Sequence, residues 1–172
     1  MENRPAYLLN DVLFLFIKLD IEDVLIDQFS NMIITPLIYE ELSLEPYVKE
    51  KLDNLIKNKV ISVKDIKVFS NEFEIFMELS CNDYLGDNSA SLLAKAYVNN
   101  GIFVCCYIED FKDYLNKYNI DSLSFEEILD NGIKKDIINH EDIIDILDKM
   151  EHLKVSFKEE YLLELRNKYH IN

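Results

Sequence analysis

The sequence predicts an α/β fold: a parallel sheet flanked by helices, with a helical appendage at its C-terminal end. Three observations carry this. Strand-like and helix-like segments alternate from residue 6 to residue 132, as consecutive β–α units do. The run "IFVCC" (102–106) is apolar throughout, as in a parallel strand covered on both faces. Only three Gly and three Pro occur in 172 residues, too few for a sandwich or barrel made of many tight turns. One domain of this length encloses a real core.

Taken in order, "AYLL" (6–9) reads as a strand and "DVLFLFIKLD" (11–20) as a helix with Asp11 as its cap. "EDVLIDQFS" (22–30) is a short helix and "NMIIT" (31–35) a buried strand. "PLIYEELSL" (36–44) opens with Thr35 at the cap and Pro36 at the first helical position. An amphipathic helix (46–59), a strand (60–66) and a helix (71–80) follow, then a loop carrying Asp83 and Gly86. "NSASLLAKAYVNN" (88–100) is a helix that Gly101 is placed to cap. After "IFVCC" come a helix (109–119), a short strand (121–125) and a short helix (125–132). The remainder is helical: residues 140–154 put Ile143, Ile144, Leu147 and Met150 on one stripe, and residues 158–170 close the chain.

Apolar residues form 49% of the chain, which excludes disorder as its main state. The net charge is −15, from 33 acids against 18 bases, and the only arginines are Arg4 and Arg166. This excludes a broad non-specific nucleic-acid surface and docking on anionic lipid, both of which need clustered cations. A nuclease whose site is itself a carboxylate cluster remains compatible, and so does a basic protein partner. Cys81, Cys105 and Cys106 lack the spacing of a metal site and read as reduced thiols of a cytosolic protein. The N-terminus does not read as a signal peptide, and no stretch reaches the roughly 18 uncharged apolar residues of a membrane span. His140, His152 and His170 have no His or Cys partner at helical spacing and read as surface or interface residues. Glycine patterns of nucleotide sites and of serine hydrolases are absent.

In an open parallel sheet, functional groups gather where strands end and the next helices begin. Four junctions supply polar groups: Asn10 and Asp11, Glu40 and Glu41, Asp87 and Asn88, and Glu109 and Asp110. Converging carboxylates bind Mg²⁺ or Mn²⁺, which activate water in phosphodiester cleavage. The same residue types also cap helices and complement the helix dipole. Spacing leaves both roles open.

The segments "YLLNDVLFLF", "IITPLIYEEL", "GDNSASLLAKAYVNNGIFVCC", "IEDFKDYLNKYNIDSLSFEEIL" and "HEDIIDILDKMEHLKVSFKEEYL" span nearly the whole chain. In order and spacing they resemble a PIN domain, above all a bacterial subgroup with a helical segment after the last strand. The resemblance implies a doubly wound parallel sheet of four to five strands over residues 1–132. It also implies a helical extension over residues 133–172, packed on the same domain. Members of the family are mostly Mg²⁺- or Mn²⁺-dependent ribonucleases, many of them toxins of toxin–antitoxin pairs; the expected location of this chain, from its reduced thiols, is cytoplasmic.

Carried over residue by residue, the resemblance implies a catalytic set of Asp11, Glu41, Asp87 and Asn88. The implied metal set is Asp11, Glu41, Asp87, Glu109 and Asp110. Only Glu41 falls in strict register. Aligned on Leu13, the family's first Asp falls on Leu9, two positions before Asp11. The third acid falls on Asn88, with Asp87 one position early, and the fourth on Cys106 or Tyr107. Each close opposite charge is worth about 1–4 kcal/mol, so losing two or three anionic ligands costs several kcal/mol of metal affinity. The tail offers only Lys149 and Lys154 where the subgroup carries a basic cluster. The expectation is therefore a PIN-like protein with an eroded metal site, non-catalytic or weakly active. It would act by binding a protein partner or a second copy of itself, with RNA disfavoured by charge. The alternative is an active Mg²⁺- or Mn²⁺-dependent ribonuclease built on Asp11, Glu41, Asp87 and Glu109 or Asp110. A third reading places a small molecule in the same cleft, lined by Asp11, Tyr84 and Tyr107.

Overall fold

Five short strands pair in parallel in the order β3-β2-β1-β4-β5: β1 (Ala6–Leu8), β2 (Met32–Ile34), β3 (Ile61–Val63), β4 (Ile102–Cys105) and β5 (Asp121–Ser124). The structure is a computed structural model and describes residues 3–81, 85–153 and 159–171. Tyr7 stands opposite Ile33 on one side and Phe103 on the other. Strands β1, β2 and β4 are buried at every residue, whereas β3 and β5 each expose part of theirs. The sequence explains the contrast: "AYL", "MII" and "IFVC" are apolar, while "ISV" and "DSLS" carry polar residues suited to a sheet edge.

The connections among the described residues are α1 (Asn10–Lys18), α2 (Glu22–Gln28), α3 (Pro36–Leu42), α4 (Pro46–Lys57), α5 (Asn71–Ser80), α6 (Asp87–Val98), α7 (Lys112–Tyr118) and α8 (Phe125–Lys134). They are followed by α9 (His140–His152) and α10 (Glu159–Lys168). The chain steps from β1 outward to β3, then returns past β1 to β4 and β5. With right-handed crossovers, the helices before β3 cover one face and α5 to α7 the other. Helix α6 lies on β1 and β4, and its buried Ala90, Ser91 and Ala94 permit that close approach. Phe16 of α1 meets Phe125 of α8 at 5.1 Å between ring centroids. The same core takes in Ile143, Leu147 and Met150 of α9 and Leu165 of α10.

Several local expectations change. Asp11 does not cap α1: Leu9 holds the cap position without a side-chain bond, and Asp11 sits in the first turn. Thr35 and Pro36 occupy the expected positions of α3, but the buried Thr35 hydroxyl makes no capping bond. Residues 109–119 split into a 3₁₀ turn (Ile108–Phe111) and α7. Ile146, not Ile144, completes the buried stripe of α9. Gly101 is not the left-handed residue after α6. Asn100 takes that conformation at φ 49°, and the Gly101 N–H closes the turn on the Ala96 carbonyl at 2.8 Å. Glycine is required at 101 for another reason: a Cβ there would lie 2.4 Å from the Tyr7 ring and 2.8 Å from the Pro5 carbonyl oxygen.

Candidate functional site

The order of the strands reverses between β1 and β4, and the crevice at their carboxyl ends is where open α/β sheets place ligands. Two junctions meet there. The Cys106 N–H, just past β4, donates to Asp11 Oδ2 at 3.1 Å, and the Val12 N–H donates to Asp11 Oδ1 at 2.5 Å. Burial pushes the Asp11 carboxyl above its ordinary value; the two N–H bonds offset part of this, and the nearby Asp110 charge adds to it. Burial, reinforced by the Asp11 charge, likewise holds the Cys106 thiol well above its usual range. Cys106 is therefore a packed thiol beside a carboxylate and no ready nucleophile.

Glu41 reaches the same crevice from the last turn of α3. Its side chain is exposed, but both oxygens are engaged. The Asn10 amide donates to Oε1 at 2.7 Å, and the Asn88 amide donates to Oε2 at 2.7 Å. A carboxylate can only accept, so both amides turn their NH₂ groups toward it. Three elements, α1, α3 and α6, are thus tied together by one carboxylate and two neutral amides. The cleft beside them, about 580 Å³, is lined by Asn10, Asp11, Phe14, Glu41, Cys106 and Tyr107 among others.

The other sequence candidates lie elsewhere. Asp87 is the exposed first residue of α6, whose cap position is Gly86 with no side-chain bond. Neither Asp87 nor Asn88 caps the helix, contrary to the capping role that spacing allowed, because Asn88 is committed to Glu41. Glu40 is exposed and does not line the cleft. Glu109 pairs with Lys112 at 3.0 Å, and with Asp110 it lines a separate cleft of about 460 Å³ bordered by Glu126, Glu127 and Tyr161. Tyr84, Asp83 and Lys154 fall outside the described residues. Tyr107 does line the switch-point cleft with Asp11. The three histidines are exposed. Among the described residues, no three His, Cys, Asp or Glu side chains gather closely enough to hold a metal ion. No helix among them is long and apolar enough to cross a membrane.

Sequence reasoning found Glu41 but missed Asn10 as its partner. The available signal was position: Asn10 opens α1 one residue before Asp11, so the two side chains leave that turn in different directions. Comparison with family models, characterised proteins and solved structures finds no match.

Proposed function

We propose that this chain is a PIN-like domain that acts by binding protein, its divalent-metal chemistry replaced by hydrogen bonding at the switch point. The observation that carries the reading is the grip of Asn10 and Asn88 on both oxygens of Glu41. Mg²⁺ and Mn²⁺ take oxygen ligands. Here the groups facing Glu41 are N–H donors, and Asp11 is turned onto main-chain N–H groups. The donor set does not fit a hard divalent ion. The amides do what a cation would otherwise do for the Glu41 charge. Strand order and the position of Glu41 support the PIN-like part of the reading. The net charge of −15 supports a basic protein partner.

The test is calorimetric titration with Mn²⁺, run beside an RNA cleavage assay on structured and single-stranded substrates. The expected result is no saturable Mn²⁺ binding and no Mn²⁺-dependent cleavage, together with stoichiometric capture of a basic protein. Mn²⁺-dependent cleavage that disappears in Glu41→Gln would overturn the reading and restore the ribonuclease.

A further inference from the structure

A third cleft, about 630 Å³, shares no lining residue with the switch-point cleft. Its charge is of the opposite kind. The switch-point cleft presents Asp11, Glu41 and Glu45 with no Lys or Arg, and the cleft under the 3₁₀ turn is lined by acids with no Lys or Arg. The third is lined by Lys64, Lys67 and Lys95 against Asp65 and Glu72, in a chain that carries −15 overall.

This cleft is built around a buried cation. Lys95 is 3% exposed, and its ammonium donates to Glu72 Oε2 and to the Asp65 carbonyl, each at 2.8 Å. An ammonium has three N–H groups, so one remains for the cleft. Of the two acids, Glu72 is part-buried in the network and Asp65 is exposed. Glu72 Oε1 accepts from the Asn99 amide at 2.8 Å, and Asp65 Oδ1 accepts from the Ile66 N–H at 2.8 Å. Lys64 and Lys67, by contrast, are exposed; among the described residues neither closes an ion pair, and the Lys64 charge acts on Glu72 only from a distance. Asn71 and Glu72 form the first turn of the ten-residue α5, so their main-chain N–H groups have no acceptor within that helix. Ser70 caps the next one, from Phe73, at 3.2 Å. Two exposed ammonium groups without an ion pair among the described residues, a spare N–H of a buried third and two helix-start amides therefore line one concavity, against a Glu72 already engaged by Lys95 and Asn99 and one exposed carboxylate, Asp65.

We propose that this cleft binds a phosphate group, either inorganic phosphate or the phosphate of a small monoester. A dianion with several acceptor oxygens matches donors arriving from separate directions, as a single-charged planar carboxylate does not.

The experiment is amide NMR on the full chain, titrated at constant ionic strength with inorganic phosphate in one arm and ribose 5-phosphate in the other. The expected result is saturable shifts confined to Lys64, Lys67, Asn71 and Glu72. Affinity should fall at least tenfold in the Lys64→Ala/Lys67→Ala double variant. Both lysines are exposed, and near-UV circular dichroism checks that the variant is folded. Tighter binding of ribose 5-phosphate identifies a monoester site; equal binding identifies a site for free phosphate. Shifts spread over helix starts throughout the chain, equal affinity in the double variant, or no saturation in either arm would overturn the proposal.

Discussion

Two glutamates in this molecule are each held by an asparagine, and what stands on their other side differs. Glu72 receives the Asn99 amide and the Lys95 ammonium in a half-buried network. Glu41 receives two amides and no cation, at the exposed mouth of the switch-point cleft. The comparison shows how exposure decides the partner. A buried carboxylate needs an opposite charge to offset desolvation. An exposed one can be fixed by neutral donors while solvent screens its charge.

The largest effect that could break this contrast is at Lys95. Lys95→Met should cost about 1.5–3 kcal/mol, because it takes the nearest cation from a part-buried Glu72 and leaves it the Asn99 amide and the more distant Lys64 charge. A urea melt reads this as a lower midpoint. Glu41→Gln should cost under about 1 kcal/mol, since its bonds are exposed and of ordinary strength. If the two substitutions cost the same, the distinction fails.

Next in size is Gly101→Ala, expected to lose about 1–3 kcal/mol by overpacking against Tyr7. Tyr7→Leu in the same chain should recover part of the loss, as a double-mutant cycle would show.

Acid titration sharpens the comparison through sign. Burial alone would raise the Glu72 carboxyl, but the bonds from Lys95 and Asn99 outweigh it and hold the group below its ordinary value. Its contribution is present at neutral pH and lost as pH falls through that lowered value. Asp11 is raised, so the folded state binds its proton more readily than the unfolded state, and stability falls as pH rises above about 4. Asp11→Asn removes this titration but turns its own NH₂ onto one of the two N–H groups that the carboxylate accepts from, a cost of about 1–3 kcal/mol. The net cost should be smaller at pH 7 than at pH 4, because only the natural chain loses stability at Asp11 as pH rises between them, as urea midpoints at three pH values would show. A cost equal at both pH values would remove the buried-carboxylate explanation.

The smallest effect concerns the amide grip. Asn10→Asp with Asn88→Asp places two carboxylates against Glu41 and should lower stability by about 0.5–1 kcal/mol, as close like charges do on a surface. Added Mn²⁺ should restore the loss in this variant and leave the natural chain unmoved, measured as a shift in melting temperature.

Much of the fold was legible because periodicity is local. Apolar runs marked β1, β2 and β4, and alternating segments marked the helices to within a few residues. The short β5 was read too, as residues 121–125. The grip on Glu41 was not legible, because its partners lie 31 and 47 residues away and meet it only through the strand order. The capping role suggested for Asn88 failed for the same reason, while Asp87 is already the first helical residue. A short polar side chain at a helix start chooses between its own backbone and whatever tertiary neighbour arrives, and here α3 brings Glu41. The Lys95 network was hidden too. A lysine in the last turn of an amphipathic helix reads as solvated, and only the packing of α5 on α6 encloses it.

The contact between Gly101 and the Tyr7 ring has an evolutionary consequence. The two positions are 94 apart in sequence, yet the space at one is occupied by the other. In any distant relative that keeps this sheet, a side chain at 101 demands both a smaller residue at 7 and a displaced main chain at 5. Glycine at 101 is therefore a signature by which relatives could be recognised after their surface and their cleft residues have diverged.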